Sequence, residues 1–188
     1  MKPNNRELGT CYYPEHWPED LWQTDAEQMI NLGLKWVRIG EFSWSRLEPK
    51  ENEFSFEWLD RAIETLGKVG LSIILGTPTA TPPTWVIKKY PDMLALDVDG
   101  RQRGFGSRRH YCFSHEGYRN QCSKIVRKLA ERYGSSPYIQ AWQTDNEYGC
   151  HDTTISYSSS ALNSFQSWLA KIYGNDINKL NEEWGNVF

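Results

Sequence analysis

The sequence predicts an α/β fold in which strands and helices alternate and the strands lie parallel. Three observations carry that expectation. Short apolar segments alternate with longer segments of helical periodicity, in the order β-α-β-α-β-α-β-α. Each helical segment is closed by a glycine. The connections are also asymmetric: those from a helix to the next strand are short, and those that follow a strand are long and chemically rich.

The first strand is expected over Leu8–Tyr12. Pro18, Glu19 and Asp20 then suit a helix first turn, where a proline loses nothing and carboxylates meet the positive end of the dipole. Leu21, Trp22, Ala26, Met29 and Ile30 share one face of that helix, and Gly33 closes it. The second strand is Leu34–Gly40, followed by a helix with the face Leu59, Ala62, Ile63, Leu66 and Val69 and a stop at Gly70. The third strand is Leu71–Gly76, and the connection Thr77–His115 after it is the longest in the chain. Cys122, Ile125, Val126, Leu129 and Tyr133 form the third helical face, with Gly134 at its end. The fourth strand is Tyr138–Gln143. A short polar turn, Ser156–Ser160, precedes the last helix, whose face is Leu162, Phe165, Trp168, Leu169 and Ile172 and whose stop is Gly174. All four strands read as buried on both faces, as parallel sheets require. A doubly wound sheet and a closed barrel both fit this order. No glycine-rich phosphate loop follows the first strand, where Cys11–Tyr13 runs into Pro14, and this weakens the nucleotide-binding version.

Composition narrows the function classes. The chain has 188 residues, 39% of them hydrophobic, and a net charge of −3. That length suits one domain with a sizeable core. No Lys/Arg run points to nucleic acid or to an anionic membrane surface. No apolar run is long enough to span a bilayer, and the polar N-terminus lacks the apolar stretch of a signal peptide, so a cytoplasmic protein is expected. Cys11, Cys112, Cys122 and Cys150 lack disulfide or metal spacing and read as reduced thiols. Nine Trp and ten Tyr are many for this length. Such rings fill cores, and they also stack on the apolar faces of sugars.

Glu147 is the first catalytic candidate. It follows the fourth apolar segment in Gln143-Thr144-Asp145-Asn146-Glu147-Tyr148-Gly149. A carboxyl group at a strand mouth beside aromatic residues is expected to be partly desolvated, which favours its protonated form, as a proton donor needs. Asn146 can donate to a sugar hydroxyl, and such a bond to the 2-hydroxyl strengthens in an oxocarbenium-like transition state. The alternative is that Asp145, Asn146 and Glu147 form a solvated turn. Arg38 ends the second strand on the same face as Trp36 and Gly40, and Glu41 follows it. An arginine at a barrel mouth needs a carboxylate or a ligand to offset its burial. Glu41 reads as half of an ion pair that shapes the site. Arg108, Arg109, His110 and Cys112 follow the third strand. A guanidinium holds carboxylates or hydroxyls in a fixed fork, while Arg109 reads as part of a solvated basic loop. No Ser-His-Asp order and no zinc-binding His pair is present.

Five stretches resemble one known family. They are Gly9-Thr10-Cys11-Tyr12-Tyr13-Pro14-Glu15-His16-Trp17, the run from Val37 to Pro49 that contains Arg38-Ile39-Gly40-Glu41-Phe42, Thr77 to Trp85, Gly106-Ser107-Arg108-Arg109-His110-Tyr111-Cys112, and Trp142 to Gly149. In order and spacing they resemble glycoside hydrolase family 42 β-galactosidases. The resemblance implies a (β/α)₈ TIM barrel that cleaves terminal β-D-galactosides with retention. Residues 1–188 are then the N-terminal half of the catalytic barrel, with only its first four βα units. The resemblance assigns Glu147 as acid/base and Asn146, Arg38 and Arg108 as sugar-binding residues. It places the nucleophile on a second Glu near the seventh strand, beyond residue 188. It also implies a homo-oligomer for the full-length protein, and a β-galactoside or oligosaccharide as its partner. Some members bind zinc through a cysteine at the position of Cys112 and a C-x-C-x-x-C run after the fourth strand. Here that run reads Ser156-Tyr157-Ser158-Ser159-Ser160-Ala161, so no metal and no cofactor are expected. The competing readings are another retaining barrel glycosidase, such as a cellulase or mannanase, and a non-catalytic sugar-binding or assembly module built from a half-barrel.

Overall fold

Four short strands, β1 (Leu8–Cys11), β2 (Leu34–Ile39), β3 (Ser72–Gly76) and β4 (Ile139–Gln143), form one sheet. Every neighbouring pair is parallel and the order is β1-β2-β3-β4. This is a computed structural model, and it describes residues 6–106, 108–150 and 153–186. The strand order decides between the two α/β versions. A doubly wound sheet doubles back and puts β1 inside the sheet, whereas barrel strands follow one another around the wall. Here β1 is an outer strand and each strand pairs with the next in sequence.

The chain divides into two compact units, Met1–Lys89 with Gln121–Tyr148, and Tyr90–Asn120 with Gly149–Phe188. The first holds the sheet. Helix α1 (Trp22–Asn31) lies against α3 (Glu57–Lys68), and their facing residues Trp22, Ala26, Trp58, Leu59, Ala62, Ile63 and Leu66 are buried. All but Trp58 belong to the two periodic faces; of the other residues of those faces, Leu21 stays exposed, just before α1 begins, and Met29, Ile30 and Val69 are half-buried. Pro18 leads into a 3₁₀ turn at Glu19–Leu21 and does not open the α-helix itself.

Burial along the strands differs from the expectation. Val37, Ile39, Ile73 and Leu75 are buried, but all four residues of β1 are exposed and β4 alternates, with Trp142 exposed. The reason is position: β1 and β4 are the outer strands, and among the described residues nothing pairs with their far edges. Gly33, Gly70 and Gly174 close their helices with φ of 82°, 101° and 63°. Gly134 has no left-handed φ and serves differently: a Cβ there would lie 2.6 Å from the Ala130 carbonyl oxygen.

Two short helices that the periodicity did not reveal, α2 (Trp44–Leu47) and α4 (Thr84–Lys89), sit in the long post-strand connections. Glu48, just after α2, is fully buried. Its carboxylate accepts from Trp44 Nε1 (3.1 Å), the Asn52 N–H (2.9 Å) and Lys124 Nζ (2.5 Å) on α5 (Glu116–Tyr133), and its carbonyl accepts from Trp85 Nε1 (2.9 Å). One side chain thus ties α2, the following turn and α5 together. Glu48→Ala is expected to lower unfolding free energy by about 2–3 kcal/mol, because a buried indole N–H and a largely buried ammonium lose their acceptor together. Urea denaturation of the two proteins measures it.

In the second unit, the chain folds back through the bridges Leu94↔Tyr111 and Leu96↔Gln102. Met93, Ala95, Tyr111, Cys112 and Tyr118 are buried there, and the Tyr111 and Tyr118 rings stack 4.1 Å apart. Arg109 corrects an expectation: it is buried, with its guanidinium 5.8 Å from the Phe113 ring, and does not belong to a solvated loop. Helix α6 (Ser159–Ile172) begins where the polar turn suggests, with Ser158 Oγ accepting from the Ala161 N–H. Its face Leu162, Phe165, Trp168 and Ile172 is exposed, not packed. One more helix follows it, α7 (Ile177–Trp184), capped by Asp176 and closed by Gly185. Among the described residues no helix is long and apolar enough to cross a membrane.

Candidate active site

The carboxyl ends of β2, β3 and β4 carry a connected polar cluster. Arg38 is the next-to-last residue of β2, Thr77 follows β3, and Gln143 ends β4 with Asp145, Asn146 and Glu147 just beyond. Parallel strands place all of these at one end of the sheet. Gly76 lets the backbone beyond β2 come close to the end of β3, since a Cβ there would lie 2.6 Å from Glu41 Cβ.

Arg38 donates from Nη1 to Gln143 Oε1 (2.8 Å), and its Nη2 lies 3.0 Å from Glu41 Oε1. Glu41 is fully buried, so this ion pair sits where solvent screens it weakly. Burial works against the charge of Arg38, but Glu41, together with Cys11 and Tyr13, outweighs it and raises the pKa. Arg38 therefore stays cationic and is held in place between Glu41 and Gln143.

Beyond β4 the chain is clamped. The Asp145 N–H donates to Thr77 Oγ1 (2.7 Å), Thr79 Oγ1 donates to Asp145 Oδ2 (2.7 Å), and the Asn146 N–H donates to Asp145 Oδ1 (2.6 Å). Asp145 and Glu147 both take left-handed backbone angles, with φ of 57° and 53°. Such angles are uncommon for residues with a side chain and persist where the surroundings impose them. The triplet is therefore not a solvated turn throughout: Asp145 and Asn146 are buried, while Glu147 is exposed. That exposure corrects the expectation of a desolvated Glu147 in this chain.

Of the four residues singled out from sequence, the structure brings Arg38, Asn146 and Glu147 together at one sheet end. Arg108 lies in the second unit. Sequence reasoning missed Gln143, Thr77, Thr79 and Asp145, although Gln143 stands at the C-terminal end of an otherwise apolar strand, where site residues of α/β enzymes collect. It also gave Glu15 no role. Both Glu15 carboxylate oxygens are buried without a hydrogen-bond partner. Burial is the main cause raising this carboxyl's pKa; its own backbone N–H and His16 oppose the shift, and Glu41 adds to it. A raised folded pKa means stability that is present at low pH and lost as pH climbs through that value. Glu15→Gln is therefore expected to raise the melting temperature at pH 8, with the gain fading as pH falls into the ordinary glutamate range. Thermal melts of both proteins across that range are the check.

The residues around Cys112 do not suit zinc. The Cys112 thiol is buried, and Ser156, Ser158 and Ala161 stand where thiolates would be needed. The hydroxyls are engaged otherwise: Ser156 Oγ accepts from the Leu96 and Ser158 N–H groups (3.3 Å each), and the Tyr157 N–H donates to the Leu96 carbonyl (3.0 Å). Backbone pairing holds this segment to the 94–96 stretch. Among the described residues, no group of three or more His, Cys, Asp or Glu side chains could hold a metal ion. Protein purified without a histidine tag and dialysed is expected to retain far less than stoichiometric zinc by atomic absorption.

Residues 11–188 match the model of glycoside hydrolase family 42, described as β-galactosidase. The chain is 52% identical over 181 residues to a β-galactosidase of Thermus thermophilus, covering 96% of this chain and 28% of that one. It is 50% identical over 181 residues to β-galactosidase Bga of Halorubrum lacusprofundi, covering 96% and 26%. The crystal structure of a β-galactosidase from the psychrophilic Marinomonas ef1 superposes with a TM-score of 0.94 at 54% identity, covering 97% of this chain and 28% of that one. The chain thus spans about a quarter of the length of these relatives. Its alternating parallel strands and helices are the first four βα units of the (β/α)₈ barrel that such structures share.

Proposed function

The chain belongs to glycoside hydrolase family 42, and on that premise we propose that it forms the N-terminal half of the catalytic barrel of a full-length enzyme that hydrolyses terminal β-D-galactosides with retention. Glu147 is its acid/base, Asn146, Arg38 and Arg108 hold the sugar, and the nucleophile comes from outside these 188 residues. The observation that carries this reading is the clamp beyond β4. Asp145, Thr77 and Thr79 fix an uncommon backbone and leave Glu147 as the outward carboxyl at the strand mouth. Glu147 protonates the departing glycosidic oxygen, and as a carboxylate it then takes a proton from the water that releases the sugar. Arg38, kept charged by Glu41, and Asn146 bind hydroxyls of the same sugar ring. The full-length protein is a homo-oligomer that acts in the cytoplasm. The test is hydrolysis of 4-nitrophenyl β-D-galactoside by the full-length protein, followed by proton NMR. The expected first product is β-galactose; α-galactose, or preference for a β-mannoside or a β-glucoside, would defeat the proposal.

A further inference from the structure

The Gln143 side chain touches both Arg38 and Asn146, and its amide has two different ends. Oε1 accepts from Arg38 Nη1 at 2.8 Å, and Nε2 donates to the Asp145 carbonyl at 2.7 Å and to Asn146 Oδ1 at 3.3 Å. The direction of this amide follows from chemistry. A guanidinium has donors and no acceptor, so the oxygen of Gln143 must face Arg38 and its nitrogen must face away. That nitrogen can only donate, so the atom of Asn146 that meets it must be the carbonyl oxygen. The amino end of Asn146 is then turned the other way. Among the described residues Asn146 Nδ2 donates to no acceptor.

We propose that Gln143 is a positioning residue that fixes the amide orientation of Asn146, so that Asn146 meets the substrate only as a donor, to the oxygen of the sugar 2-hydroxyl. The proposal rests on the reading of Asn146 given above and adds to it what sets its polarity. The backbone around the relay is fixed at both ends. The Gln143 carbonyl accepts from the Thr77 N–H (2.9 Å), and Asp145 Oδ1 holds the Asn146 N–H. Arg38 is itself held by Glu41. The donors therefore run in one direction, from Arg38 to Gln143 to Asn146 to the ligand, and bonds aligned in this way polarise one another. A hydroxyl has a single proton. If Asn146 presented its oxygen instead, it would consume that proton, and the lone pairs of the 2-hydroxyl would face no donor.

Gln143→Glu in the full-length enzyme tests this, since the carboxylate keeps an acceptor for Arg38 but has nothing to donate to Asn146. The substrates are a 4-nitrophenyl β-galactoside and its 2-deoxy counterpart. The expected result is a roughly 10- to 100-fold fall in kcat/KM on the galactoside, the loss of a transition-state hydrogen bond. On the 2-deoxy substrate, which lacks the hydroxyl, activity should stay within about threefold. Equal losses on both substrates would mean general damage and would overturn the proposal. Asn146→Ala, measured alongside, separates the two layers. If it shows no preference between the substrates, the reading of Asn146 fails and the proposal falls with it. If it discriminates and Gln143→Glu does not, the proposal alone is wrong. Should the carboxylate prevent folding, Gln143→Met, neutral and of similar size, gives the same comparison with the same deciding outcomes.

Discussion

Glu147→Gln in the full-length enzyme is expected to cut hydrolysis of lactose-like substrates roughly 10²- to 10⁴-fold, the usual worth of a general acid. The loss should depend on the leaving group. A sugar alcohol needs a proton to depart, whereas 2,4-dinitrophenolate leaves without one, so formation of the glycosyl-enzyme from the dinitrophenyl galactoside should be nearly unaffected. Its breakdown then limits turnover, because water has lost its base. Azide needs no base, and added azide should restore turnover and give β-galactosyl azide. The geometry explains why a glutamine is a fair probe here. Glu147 is exposed, and the backbone beyond β4 is held by the hydrogen bonds of Asp145, Thr77 and Thr79, which a glutamine at 147 does not remove. Equal losses on both substrates, with no azide product, would move the acid/base role elsewhere.

How much of this was legible in the sequence depends on where the determining partners lie. The strands and the four long helices were readable because their signals are local: apolar runs of strand length, helical spacing, and glycine at three left-handed stops. The burial of β1 was not readable, because the exposure of an outer strand depends on what pairs with its free edge and not on its own residues. Arg109 looked solvated in a run of basic residues, yet folding places it 5.8 Å from Phe113 and buries it. At the site, Arg38, Asn146 and Glu147 could be named from strand-end position and family resemblance. Asp145 could not be told from a turn residue, since its partners Thr77 and Thr79 come from another strand end more than sixty residues away. Gln143 was silent for the same reason: its meaning lies in Arg38, a distant residue on β2.

The isolated 188-residue chain is expected to show no galactosidase activity above that of its Glu147→Ala variant. Retention needs two carboxyl groups about 5–5.5 Å apart across the sugar, one to protonate and one to attack. Among the described residues, four carboxylates stand at the strand ends, and three of them are committed. Glu41 is fully buried against Arg38. Asp145 accepts from Thr79 and from the Asn146 N–H, which holds it as part of the clamp. Glu15 has both oxygens buried, and the burial that raises its pKa favours the neutral acid, a poor nucleophile. That leaves Glu147, which cannot serve as acid and nucleophile in one displacement. The open outer strands also leave the strand mouth facing water, where each charge–dipole contact to a sugar is weaker than in a closed barrel. Catalytic groups that act as a pair are non-additive, so the loss of one removes most of the rate and not half of it. Two copies of the chain brought together would double the acid and still lack the attacking group. A fluorogenic galactoside assay on the purified chain, with Glu147→Ala as the control for contaminating enzyme, measures this directly. Turnover close to that of a full-length relative, abolished by the substitution, would show that Glu15, Glu41 or Asp145 can leave its present setting and attack the anomeric carbon.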